Sequence, residues 1–380
     1  VYQLFSVDDH VIEPPDTWSS RVPAAMRDRA PKVVDFHGRQ AWAFEDTVEP
    51  QMGLNAVAGK PREEWGMEPT RFDDMIPGCY DPAARASDMW SNGIVASVNF
   101  PTLPGFGGRK FQTFKDKDLA MACVRAWNDF ILDEWCAAAP GLFVPMVITA
   151  TWDVDLATQE VRRCLDKGAK ALCWIEDPLP LGLPGYHTDH WDPLMAQCQE
   201  ADLPICMHIG SSGGSVSLAG TVPMVAIASA FVNAASCAVN MMCSPIPRKF
   251  TDLKLVWSEG GIGWIPAAIE RADRQWDRHR YWTNLGGIRP SEVCARNMWF
   301  CMIEEPIGLK YRHDWDPTCE HILWESDYPH ADTPWPHTQA AVKDVLDGVP
   351  DDEVRRITHE NAEKLFHFTP ELPAGYDFES

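Results

Sequence analysis

No apolar run in this chain approaches the roughly 18 to 20 residues that a bilayer-spanning helix requires. The opening VYQLFSVDDH also lacks the basic stretch that begins a secretory leader. These absences point to a soluble, cytoplasmic protein with no membrane partner. Positive charge is scarce: 33 lysines and arginines face 55 acidic residues, for a formal net charge of -22. Such a field repels nucleic acid and anionic membranes, which excludes nucleic acid as a partner, and an anionic small molecule would need a local cationic clamp. The 12 cysteines include no CxxC pair. That excludes dithiol redox motifs and zinc ribbons and leaves the thiols as reduced, buried small hydrophobes. Neither 210-GSSGG-214 nor 105-GFGGRK-110 ends in the GK[ST] of a phosphate-binding loop. Internal repeats, heptads and low-complexity tracts are absent as well.

What the chain does have is a rhythm. Runs of strand length recur at 4-LFSV-7, 94-IVASVNF-100, 142-LFVPMVI-148, 171-ALCWI-175, 203-LPICMHI-209, 253-LKLVWS-258, 298-MWFCMI-303 and 320-EHILWES-326. Between them, segments such as 117–139, 153–168 and 263–282 return apolar residues every three to four positions, which is the helical period. Continuously apolar strands are buried on both faces, as in a parallel sheet covered by helices. Eight such units predict an α/β fold of the (β/α)8 TIM-barrel type, with chemistry at the C-terminal ends of the strands. A chain of 380 residues fits one such domain, 1–380. Residues 14–90, rich in proline and glycine, break the rhythm and read as a cap inserted after the first strand; a separate small domain is the competing reading. The tail 351–368 reads as a closing helix.

Asp8, His10, Glu176, His208, Glu259 and Asp327 each stand at the end of one of these runs. Asp8 and His10 are two apart, so both side chains leave the first strand on the same side. Alone, each has a bland reading as a core histidine or a loop carboxylate; their recurrence at the same end of several strands is what favours metal. Two imidazoles and four carboxylates form a ligand set for two divalent ions. Oxygen-rich donors without thiolate suit iron or manganese better than a structural zinc. Glu13, His330 and Asp9 follow these segments closely as further ligands, as groups that hydrogen-bond to the ligands and hold them in place, or as acid–base groups. Arg109 and Lys110, with Lys60 and Arg62 in the cap, are the candidate anion clamp. Trp174 and Trp264, with Trp65 and Trp335, are candidates to line an apolar substrate pocket, for which 17 tryptophans give ample material. The HxxH at 187-HTDH-190 precedes a helix beginning near Trp191 and reads as capping or solvated surface.

Asp-x-His after the first strand, a lone His after the fifth, SDYPH after the eighth and the EPPD at 13–16 resemble the amidohydrolase superfamily. They are most similar to its amidohydrolase-related branch, which includes decarboxylases of the aminocarboxymuconate-semialdehyde type. The likeness runs from Phe5 to about Phe368 and implies that Asp8, His10, His208 and Asp327 bind one metal. In dinuclear relatives a carboxylate after strand four bridges two ions and a His after strand six binds the second; here Glu176 and Glu259 stand in those places. The SEGGIGW and SDYPHADTPWP segments resemble nonheme diiron monooxygenases acting on terpenoid coenzyme A esters, of the platensimycin and platencin type. That resemblance implies two iron ions, O2, an electron donor and a bulky apolar, CoA-linked substrate, in a homo-oligomer. The alternative is a zinc- or manganese-dependent hydrolase or non-oxidative decarboxylase of a carboxylic acid.

Overall fold

A computed structural model describes residues 1–50, 53, 55–66, 69, 71–213 and 220–372. Gly214, the last residue of GSSGG, and six scattered cap positions lie outside them. Eight parallel strands form the barrel: β1 (Leu4–Val11), β2 (Ile94–Pro101), β3 (Phe143–Val144 and Met146–Val147, interrupted at Pro145), β4 (Ala171–Trp174), β5 (Ile205–His208), β6 (Leu255–Ser258), β7 (Met298–Met302) and β8 (Ile322–Trp324). Each pairs with the next in chain order. Closure comes at the mouth, where His10 N–H donates to Tyr328 O and Asp327 N–H to Asp8 O, both at 2.7 Å. All eight strands overlap the eight apolar runs, because burial on both faces leaves no room for alternation.

The helical layer follows from period and capping. α1 (Pro82–Trp90) starts at Asp81, whose carboxylate accepts from Ala84 N–H, with proline at the first position. α2 (Lys117–Phe130) and α3 (Val154–Asp166) start in the same manner at Asp116 and Asp153, each accepting two N–H groups. The predicted helix 117–139 continues past α2 through a π-turn at Ile131–Trp135. α4 (Asp192–Glu200), α5 (Ala230–Cys243) and α6 (Ile265–Thr283) complete the elements used below. All 12 cysteines are free thiols, and all but Cys243 are buried.

Between β1 and β2, Lys32–Phe36, Arg39–Phe44 and Thr47–Glu49 form a three-stranded antiparallel sheet. Trp42 from this sheet meets Trp18 edge to face at 5.1 Å, and Trp18 donates its indole N–H to Cys123 O on α2. Further along, Val57 and Ala58 N–H both donate to Pro329 O at 3.0 Å, which ties this segment to the loop after β8.

One expectation needs correcting. The segment Pro223–Cys243, a short helix Pro223–Ala228 followed by α5, is long and apolar enough to cross a membrane by length and composition. Ser229, Asn233, Ser236 and Asn240 interrupt its apolar residues, so no unbroken apolar run marks it in the sequence.

Candidate metal centre

At the C-terminal mouth, β1 sends Asp8 and His10 inward from a point where its register on β2 shifts between Ser6 and Asp9. Bulges of this kind re-aim side chains beside active sites. His208 ends β5, level with Ser258 on β6, so Glu259 projects from the next position. Glu259 and Asp327 both hold positive φ, 58° and 54°, a conformation that non-glycine residues adopt at a cost and that clusters at functional sites.

The side chains converge. His10 Nε2 lies 3.3 Å from Asp8 Oδ1 and 3.2 Å from Asp327 Oδ1. His208 Nε2 lies 3.2 Å from Asp8 Oδ2 and 3.2 Å from Glu259 Oε2. Ligand atoms of Asp8, His10 and His208 fall within 4.8 Å of one another, as do those of His10, Asp327 and His330 and of Glu259, Asp327 and Asp332. Both oxygens of Asp8 and the Nε2 atoms of His10, His208 and His330 are buried without a hydrogen-bond partner. Buried polar atoms are normally paired, so several unpaired ones aimed at one point fit a cation that takes their lone pairs. His208 Nδ1 lies 2.7 Å from Ile209 O, which fixes the ring with Nε2 as the free ligand atom.

The protein's own charges set strong pKa shifts here. Burial opposes protonation of His208, but Asp8 and Glu259 push it up to about 10. Burial raises Asp8, yet the two histidines outweigh it and hold the carboxyl below its ordinary value. Asp327 is lowered by His330 and His10 against its own burial. Glu259 is raised well above the carboxylate range by burial and by Asp327. A divalent cation at this point would neutralise the imidazoles and ionise the carboxyls.

The remaining candidates sit as follows. Glu176 is buried; its Oε2 accepts from Asn233 at 3.1 Å, its Oε1 has no partner, and burial pushes it up to about 7. Glu13 is fully committed, accepting from Thr102 N–H at 3.0 Å, Leu103 N–H at 2.9 Å and the Trp127 indole at 2.9 Å. Asp9 points away from Asp8 and His10 and accepts from Ser6 and Tyr328 N–H; burial lifts it to about 7 against the nearby Arg85. His330 lies over His10 with ring centroids 3.9 Å apart and its Nδ1 is 2.9 Å from Asp327 Oδ1. Phe106 stacks on His208 at 3.9 Å, and Phe100 packs edge-on to the same ring.

Arg109 donates to Gly210 O and Ser211 O, and Lys110 pairs with Glu49. Both border a cleft of about 340 Å³ that also includes Leu103, Phe106 and Leu181. Arg62 is exposed, with its guanidinium 5.7 Å from the Trp65 ring. Trp174 is buried edge to face against Trp191, and Trp264 donates to Gly260 O. His187 of the HxxH lies 2.8 Å from Asn240 Oδ1. Sequence reasoning missed Glu325 and Asp332. Glu325 accepts the Glu259 N–H, and Asp332 borders a second cavity of about 290 Å³ with Glu259, Glu304 and Glu305. Their only signal was their place on either side of Asp327 in WESDYPHAD.

A closed (β/α)8 barrel with acids and imidazoles converging at its C-terminal mouth defines a class, the metal-dependent barrel enzymes. Residues 34–368 match the family model described as amidohydrolase, and the chain belongs to the amidohydrolase family. No curated protein matches the sequence. Among solved structures, an amidohydrolase from Mycobacterium avium subsp. paratuberculosis K-10 is 21% identical with TM-score 0.76, covering 96% of this chain and 99% of its own. A 5-carboxyvanillate decarboxylase from Sphingomonas paucimobilis is 19% identical, with TM-score 0.67 and coverage of 97% and 100%. A second 5-carboxyvanillate decarboxylase, from Novosphingobium aromaticivorans and complexed with manganese, is 15% identical, with TM-score 0.62 and coverage of 97% and 96%.

Proposed function

We propose that this chain is a metal-dependent, non-oxidative decarboxylase of a carboxylic acid. One divalent ion, manganese or zinc, would be held by Asp8, His10, His208 and Asp327. The observation that carries this reading is the convergence of buried, unpartnered atoms of Asp8, His10 and His208, with Asp327 Oδ1 3.2 Å from His10 Nε2 beside them. Likeness in fold to decarboxylases, one of them complexed with manganese, supports it. When bound, the ion supplies Lewis acidity to a substrate oxygen and stabilises negative charge that develops there.

The chain's own residues do the rest. In decarboxylation the C–C bond breaks, CO2 leaves, and the electron pair left on carbon takes up a proton. Glu259 is placed to deliver that proton: its Oε2 is 3.2 Å from His208 Nε2, and its side chain is 20% exposed towards the mouth, from which it can be reprotonated. Phe100 and Phe106 keep water off the His208 ring.

A second reading, a diiron monooxygenase using O2 and an electron donor on a terpenoid CoA ester, rests on the sequence resemblance, with the Glu259, Asp327 and Asp332 carboxylates offering room for a second ion beside the first ligand group. There Glu259 would be a ligand and Glu176 a bridge. The two readings part under anaerobic assay with aromatic and aliphatic carboxylic acids. CO2 release without O2, with one manganese or zinc per chain, supports decarboxylation. Two irons per chain and product carrying label from ¹⁸O2 would overturn it in favour of oxygenation.

A further inference from the structure

At the other end of the barrel a second group of unlike donors comes together. His313 Nε2 lies 3.1 Å from Glu353 Oε1, and the Cys319 thiol donates to Glu353 Oε2 at 3.4 Å. One ligand atom from each of the three falls within 4.8 Å of the other two. His313 sits in a single turn, Arg312–Asp314, of the connection between β7 and β8; buried Cys319 stands just before β8; and Glu353 belongs to the helix Asp351–Arg355. This is the N-terminal end of the strands, since His321 Nδ1, two residues from Cys319, is 2.9 Å from the carbonyl oxygen of Met298, the first residue of β7. Among the described residues Cys319 is the one cysteine that joins such a donor group.

The spacing is close to that of ligands on a tetrahedral ion. With metal–sulfur bonds of ~2.3 Å and metal–nitrogen and metal–oxygen bonds of ~2.0–2.2 Å, the edges of the tetrahedron come to roughly 3.3–3.6 Å. The donors are also held in place. Arg312 Nε donates to Glu353 Oε2 at 2.6 Å and its Nη1 to Leu309 O at 2.7 Å, which orients the carboxylate with Oε1 turned to His313. Asn361 donates to Cys319 O at 2.7 Å and Cys319 N–H to Asp316 O at 3.1 Å, which fixes the cysteine at a φ of 53°. Burial, Glu353 and Asp316 push the thiol up to about 12 against the pull of Arg312, so the surroundings of the sulfur favour positive charge, from a proton or from a metal ion that replaces it.

We propose that His313 Nε2, Cys319 Sγ and Glu353 Oε1 bind a divalent ion of the zinc class at the base of the barrel, with water as the fourth ligand. Binding exchanges a proton for the ion: the S–H bond breaks, the proton leaves to solvent, and thiolate and carboxylate together balance the ion's two charges. A thiolate and an imidazole select zinc over manganese, the reverse of the oxygen-rich mouth, so the base takes zinc even where the mouth holds manganese. The ion ties the β7–β8 connection to the helical tail. The His313 side chain is 51% exposed, so the ion exchanges on dialysis and ion counts in dialysed protein read the mouth alone.

Cobalt(II), a coloured probe of zinc sites whose bond to a thiolate absorbs in the near ultraviolet, tests this. The full chain is treated with chelator, given manganese to fill the mouth, and titrated with cobalt in the presence of a phosphine reductant. A thiolate-to-cobalt band is expected in the wild type, to be abolished by added zinc and to be missing from Cys319→Ser. Because the band reports sulfur, it is read whether or not manganese binds at the mouth. Circular dichroism checks folding. Should Cys319→Ser fail to fold, His313→Ala at its exposed position decides: the dissociation constant for cobalt should rise at least as much as the ~10–100-fold that losing an outer partner of a ligand costs. Absence of the band from the wild type would overturn the proposal, as would a band retained by folded Cys319→Ser or an unmoved titration in His313→Ala.

Discussion

Glu325 accepts the backbone N–H of Glu259 on both carboxylate oxygens, at 3.1 and 3.0 Å. A buried carboxylate from the loop after β8 thus fixes the left-handed residue that follows β6, although 66 residues separate them. Glu325→Ala should release this turn and let Glu259 swing away from His208. Metal affinity or turnover should fall ~10–100-fold, the usual effect of removing an outer partner at a metal site. Titration with manganese and steady-state kinetics would read it. Wild-type values for both would show that the turn holds its shape without Glu325.

The metal itself is the next test. Asp8→Asn and His208→Ala each remove a ligand whose free atoms are buried, so each variant should lose its ion on dialysis, as measured by elemental analysis. In the wild type, manganese at ~100 times its dissociation constant should add about 2.7 kcal/mol of stability, seen as a rise in Tm that chelator reverses. An equal rise in Asp8→Asn would place the ion elsewhere.

The pH dependence has a defined sign. Burial lifts Glu176 to about 7, with His208 and Asn233 pulling it partly back. The folded chain therefore binds this proton more tightly than the unfolded chain. Stability is fully present below the ordinary carboxyl pKa and is lost as pH rises through about 7. The loss is about 3 kcal/mol for this group, and Asp9, also lifted to about 7 by burial, acts in the same direction. In chelator-treated protein Tm should fall between pH 5 and 8, and Glu176→Gln should flatten part of that fall. Parallel profiles for variant and wild type would show that Glu176 ionises without strain in the fold.

How far the sequence alone reaches can be seen residue by residue. The eight strands were legible because a strand buried on both faces reads as a continuous apolar run, and Asp8, His10, His208 and Asp327 because an acid or imidazole closing such a run is out of place unless it is used. Glu13 was not legible. Whether a carboxylate takes a cation or N–H groups depends on Thr102, Leu103 and Trp127, which lie 89, 90 and 114 residues away. Asp332 and Glu325 were missed because positive φ at Glu259 and Asp327 brings neighbouring turns together, and spacing along the chain carries no sign of it.

The sheet formed by residues 32–49 offers the clearest stability test. Trp42 is buried and meets Trp18 edge to face at 5.1 Å, while Trp18 is held by Cys123 O on α2 at 3.1 Å, so one aromatic pair joins this sheet to the barrel's helical layer. Trp42→Ala removes the apolar contact and leaves a cavity, and should lower unfolding free energy by ~3–5 kcal/mol in urea. Val48→Ala, at an exposed position in the same sheet, should change it by less than ~0.5 kcal/mol. If Trp42→Ala instead shifts the midpoint no more than Val48→Ala, the sheet unfolds separately from the barrel, and the Trp18–Trp42 contact is not what couples them.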